Sequence, residues 1–80
     1  MRFTVYSKDG CVYCEKIKKV FNLAELDYVS YTLESGAFTH DQFLNVFGES
    51  ASFPQVVLND EQSLGGCHET IKYLRENNVL

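Results

Sequence analysis

Phe3-Thr4-Val5-Tyr6-Ser7-Lys8-Asp9-Gly10-Cys11-Val12-Tyr13-Cys14 carries the chain from a strand pattern into a helix pattern through a pair of cysteines. Arg2 to Ser7 alternates along its length and is rich in Phe, Val and Tyr, as a half-buried strand does, and Lys8-Asp9-Gly10 is a turn. A helix is predicted from Val12 or Tyr13 to about Leu23. Cys14, Ile17, Phe21 and Ala24 recur at helical spacing, with Val20 beside them and charges between. Cys14 therefore falls on the buried stripe, whereas Cys11 stands at the helix start. There its sulfur faces backbone N–H groups and the positive end of the helix dipole, and both favour the thiolate. A pair at this spacing can close a small disulfide, but zinc sites use the same spacing, so CxxC alone does not choose between them.

The composition narrows the classes. Eighty residues with 45 % apolar side chains, eleven aromatics, one proline and five glycines describe one small folded domain over residues 1–80 rather than a disordered chain. A single core of this size contributes only about 3–5 kcal/mol net. Three cysteines are not the even, dense set of a secreted disulfide framework, and a Cys11–Cys14 bridge closes too short a loop to restrict the unfolded chain much. Its purpose would be reactivity. The opening residues lack a signal-peptide pattern, and no apolar run approaches the ~18 residues of a membrane span, so the expectation is a cytoplasmic protein with no membrane partner. The net charge of −4 argues against nucleic acid as a partner. Four of the seven basic residues, Lys8, Lys16, Lys18 and Lys19, nevertheless lie close in sequence to the cysteine pair. For the last three a solvated helix face is the plain alternative.

Beyond the first helix, Tyr28 to Leu33 reads as a second strand, parallel to the first because a helix separates them. Glu34-Ser35-Gly36 is a loop. Phe38, Phe43, Leu44 and Phe47 suggest a short helix from about Thr39 to Val46, ended near Gly48. Gln55 to Leu58 is a probable strand, Asn59-Asp60 a turn, and Gln62 to Leu64 a short returning strand. After Gly65-Gly66 a final helix runs from Cys67 or His68 to Glu76, with Ile71 and Leu74 as core contacts. The order β-α-β-α-β-β-α gives an α/β fold: a four-stranded mixed sheet flanked by three helices, the thioredoxin-like architecture in its smallest form.

Three motifs together resemble the glutaredoxin family over nearly the whole chain. Tyr6-Ser7-Lys8 followed by Cys11-Val12-Tyr13-Cys14 resembles the family's Cys-Pro-Tyr-Cys segment. Ser52-Phe53-Pro54-Gln55 resembles its Thr-Val-Pro-Gln, and Gly65-Gly66-Cys67 its Gly-Gly-Cys before the last helix. The valine form of the first motif is similar to that of bacteriophage glutaredoxins. Val12 departs from the usual proline at the helix start, which leaves the redox potential open. Ser52 and Phe53 replace Thr and Val, and Glu69 stands for the usual Asp, which would cap the last helix better.

The resemblance implies a glutathione-dependent thiol-disulfide oxidoreductase. Cys11 would be the nucleophile and Cys14 the resolving thiol, with protein disulfides and glutathione mixed disulfides as substrates. It implies a cis peptide before Pro54, presenting the backbone of Phe53 to the peptide backbone of glutathione. The N–H groups of Cys67, His68 and Glu69, following Gly66, would receive the γ-glutamyl carboxylate. Lys8 and Tyr13 would contact the glycine end and the sulfur region. Cys67 also fits a packing role. Glutathione is the expected reductant, no metal is expected, and a monomer is the simplest assembly. Ribonucleotide reductase is a family expectation for a protein substrate, which nothing in these residues selects. Two alternatives keep the same cysteines: a [2Fe-2S] cluster shared between two protomers through Cys11 and glutathione, and a zinc site from Cys11, Cys14, Cys67 and His68.

Overall fold

A computed structural model of the protein describes residues 1–80. It runs β1 (Phe3–Ser7), α1 (Val12–Leu23), β2 (Tyr28–Thr32), α2 (His40–Phe47), β3 (Gln55–Leu58), β4 (Gln62–Gly65) and α3 (Cys67–Glu76). The four strands form one sheet in the order β2-β1-β3-β4. β1 pairs parallel with β2 and antiparallel with β3, and β3 pairs antiparallel with β4. The mixed sheet read from the sequence is the one observed.

β1 is central, and its alternation sorts side chains between two layers. Phe3 and Val5, with Val56 and Leu58 from β3, face α1 and α3 and close a buried core with Ile17, Phe21, Cys67 and Leu74. Phe3 stacks on Phe21 with ring centroids 4.9 Å apart. Tyr6 points to the other face, where it meets Tyr31, Phe38 and Phe47 at 5.4–5.8 Å. Phe43 anchors α2 to this second aromatic layer, 5.0 Å from Phe47. The longest helical pattern and the alternating strands are therefore the parts that meet the core, and they are the parts whose sequence periodicity is strongest.

α2 ends at Phe47 rather than Val46, and four other boundaries differ, each with a local cause. The second strand stops at Thr32, and Leu33–Ser35 wind into a 3-10 turn closed by Gly36 at φ 81°. Ser35 Oγ donates to the Thr32 carbonyl at 2.6 Å and holds that turn. α2 begins at His40 because Thr39 is its N-cap: Thr39 Oγ1 accepts from the Gln42 N–H, and the Gln42 side chain accepts from the Thr39 N–H. β1 begins at Phe3, since the Arg2 N–H turns to Asn59 Oδ1 at 3.0 Å. β4 extends to Gly65, which pairs with Val56 across a bulge. No helix is long and apolar enough to cross a membrane.

Candidate active site

Cys11 occupies the N-cap of α1 in extended conformation, and its sulfur accepts from the Cys14 N–H at 3.2 Å. A sulfur in a position normally held by Ser or Asp is a hydrogen-bond acceptor aimed at helix N–H groups, which stabilises negative charge on it. Cys11 and Cys14 are joined as a disulfide, with their Cα atoms 5.2 Å apart. The two sulfurs are unequally placed. Cys14 is fully buried on the core side of α1, while Cys11 is partly exposed between two exposed residues, Gly10 and Val12. An incoming disulfide can reach Cys11 and not Cys14.

Across from this helix start, the turn into β3 carries Phe53-Pro54, whose peptide bond is cis. Pro54 is buried and Phe53 half-buried. Neither the N–H nor the C=O of Phe53 is used in a backbone hydrogen bond. A residue just before a strand with both groups unspent can pair with a further strand-like segment. The Phe53 ring stacks on Phe43 at 4.1 Å, and the Lys8 ammonium lies 5.4 Å above its centroid.

The third side is the Gly65-Gly66 step into α3. Gly65 has φ 93°, and a Cβ there would lie 3.1 Å from that of Glu69. At Gly66 a Cβ would approach Glu69 Oε1 to 3.2 Å and the Pro54 carbonyl to 3.5 Å. Gly65 is favoured by both its backbone conformation and its close approach to Glu69, whereas at Gly66 a side chain would crowd the Glu69 carboxylate. Glu69, at the third position of α3, reaches back so that Oε1 accepts from the Gly66 N–H at 3.1 Å. This corrects the expectation that Glu69 is a poorer cap than Asp. From the third helical position the longer side chain makes the reciprocal half of a capping box.

A cleft of about 420 Å³ joins these segments. Seven of the eight predicted ligand-binding residues line it: Tyr13, Phe53, Pro54, Gly66, Cys67, His68 and Glu69. Lys8 is not in the lining, and reaches the site only through its contact with the Phe53 ring. Sequence reasoning missed Lys16, Ser52 and Ile71, which also line the cleft. Lys16 was legible, because it follows Tyr13 by three residues and shares its helix face. Cys67 packs into the core while touching the cleft, and is the only free cysteine. Burial pushes its thiol up, with the Lys16 ammonium opposing and the Glu69 carboxylate adding to the rise. No group of three or more His, Cys, Asp or Glu side chains is placed to hold a metal ion, so the four residues of the zinc alternative are not gathered.

The sequence matches the family model for glutaredoxin over residues 3–62. No curated protein matches it in sequence. Among solved structures, it is similar to the buckwheat glutaredoxin–glutathione complex, with 25 % identity and a TM-score of 0.79 over 96 % of this chain and 71 % of that one. It also resembles in fold glutaredoxin 1 from Francisella tularensis complexed with cacodylate, at 20 % identity and a TM-score of 0.77 over 98 % and 95 % of the two chains. Reduced Escherichia coli glutaredoxin matches at 19 % identity and a TM-score of 0.74, with both chains covered in full.

Proposed function

The chain belongs to the glutaredoxin family and is a thiol-disulfide oxidoreductase; on that premise we propose that glutathione is its reductant and that Cys11 is its nucleophile. The observation that carries the reading is the Cys11–Cys14 disulfide at the head of α1, whose Tyr13 and Lys16 line a cleft closed by Pro54 and Gly66.

In the reduced protein the Cys11 thiolate attacks one sulfur of a substrate disulfide. The S–S bond breaks, a mixed disulfide to Cys11 forms, and the second substrate sulfur leaves as a thiolate that takes up a proton. Cys14, one helical turn deeper, loses its proton and attacks the Cys11 sulfur. That step releases the substrate as a dithiol and restores the internal disulfide. One glutathione thiolate then opens the Cys11–Cys14 bond, and a second displaces the first from Cys11 as glutathione disulfide. Two glutathiones are oxidised for each substrate disulfide reduced. With a glutathione mixed disulfide as substrate, Cys11 alone suffices.

The cleft offers each part of glutathione a partner. Phe53 has its N–H and C=O free for the peptide backbone. The start of α3 at Cys67 and His68 presents N–H groups and the positive end of a dipole to the γ-glutamyl carboxylate. Lys8 supplies a cation near the mouth. Glu69 already neutralises one N–H of this corner, so the ligand's carboxylate takes the N–H groups further into the helix, and its ammonium meets Glu69.

The test is glutathione-dependent reduction of a small glutathione mixed disulfide, coupled to NADPH through glutathione reductase. Cys11→Ser should abolish turnover and Cys14→Ser should retain it. An inactive wild type in this assay, with activity restored by a thioredoxin reductase, would overturn glutathione as the reductant.

A further inference from the structure

We propose that the exposed face shared by α1 and α3 is a docking trough for an acidic polypeptide segment flanking the disulfide to be reduced; the proposal rests on the oxidoreductase reading above. The redox cleft does not end at its inner wall. A second cleft of about 320 Å³ shares His68 and Ile71 with it and continues to Lys72 and Arg75. His68, Lys72 and Arg75 stand at i, i+4 and i+7 of α3, which places them along one face of the helix.

This outer length is too far for the tripeptide to cover. Arg75 is eight residues beyond Cys67, about 12 Å along the helix at 1.5 Å per residue. A fully extended tripeptide spans about 10 Å, so one with its γ-glutamyl end at Cys67 falls short of Arg75. A ligand that occupies both the redox cleft and the outer trough is a longer chain.

Charge selects what kind of chain. Five of the seven basic residues, Lys16, Lys18, Lys19, Lys72 and Arg75, lie on α1 and α3, while eight of the eleven acids lie elsewhere. The only salt bridge in the molecule joins Arg2 to Asp60, so Lys16, Lys72 and Arg75 have no carboxylate within ion-pair distance. Of the acids in the trough, Glu69 is tied to the Gly66 N–H, and Glu76 stands at the far end. Carboxylates spaced along a peptide can meet the free cations. A continuous polyanion would meet Glu69 and Glu76 as well, and would be repelled by the net charge of −4. The acidic remainder of the surface turns an acidic partner toward this face, with its disulfide at Cys11.

The experiment uses two peptides of equal length and one internal disulfide each, flanked by Asp and Glu in one and by Lys in the other. Wild type should reduce the acidic peptide about tenfold more efficiently in kcat/KM at low salt, through KM, as three exposed charge pairs can supply. The preference should fade at about 0.5 M salt. The Lys72→Glu/Arg75→Glu double variant should lose or invert it, while its turnover of the small glutathione mixed disulfide stays within about twofold of wild type. Equal efficiency on the two peptides, or a preference that survives the double variant, overturns the docking trough. Failure of wild type on both peptides and on the small mixed disulfide would instead overturn the oxidoreductase reading, and the trough with it.

Discussion

Lys8 is an exposed cation whose ammonium lies over the face of Phe53, and Phe53 in turn rests on Phe43 of α2. The ring thus fixes where the ammonium waits. Lys8→Ala should raise KM for a glutathionylated substrate about two- to fivefold with little change in kcat, since an exposed ionic contact contributes up to about 1 kcal/mol. Phe53→Leu should have a similar effect, and the two should not add, because each removes the same placement. A double variant whose KM equals the product of the single effects would separate Phe53 from Lys8. Cys67 permits a second prediction. Burial raises its folded-state pKa, so the unfolded chain gives up that proton first as pH climbs through the ordinary thiol range near 8.5, and the stability tied to Cys67 is lost there. In the oxidised protein, whose only thiol is Cys67, urea midpoints between about pH 7 and pH 10 should fall more steeply for wild type than for Cys67→Val. Parallel curves would deny the linkage. At this scale the sequence was partly legible. The cysteines, Pro54 and the glycine pair could be read because their chemistry is specific, whereas the hydrogen bond of Glu69 to Gly66 depends on a rotamer that no spacing rule contains.

Two helix starts build the site, and they are capped by different means. α1 uses a cysteine sulfur as N-cap, and α3 uses Glu69 reaching back over a glycine. The second depends on Gly65, where a side chain would be strained by the φ of 93° and crowded by Glu69 at 3.1 Å. Gly65→Ala should cost about 1–2 kcal/mol in urea unfolding and also raise KM, since it displaces Glu69 and the first turn of α3. A variant within about 0.3 kcal/mol of wild type would show that the turn relaxes freely. Elements with strong periodicity, α1, β1 and β3, agree with their sequence reading to within a residue. The 3-10 turn at Leu33–Ser35 did not announce itself, because a single turn has no period and is held by one hydroxyl.

In the molecule as a whole, the sheet separates two unlike layers. One is the aliphatic and aromatic core under α1 and α3, and the other is the aromatic layer under α2 that ends at Phe53. The topology was legible from the alternation of strand and helix patterns, together with the rule that a strand-helix-strand unit is parallel. The charge asymmetry was legible only in part, because Lys72 and Arg75 join Lys16 through packing of helices far apart in sequence. The cleft itself draws on residues near 13, near 53 and near 67, and β1, β3 and β4 must be paired before they meet. A ribosome-bound chain that has exposed Cys11 and Cys14 still lacks two walls of the cleft. Such a nascent polypeptide is only a pair of ordinary thiols, and selective chemistry begins when the last helix has left the exit tunnel and docked.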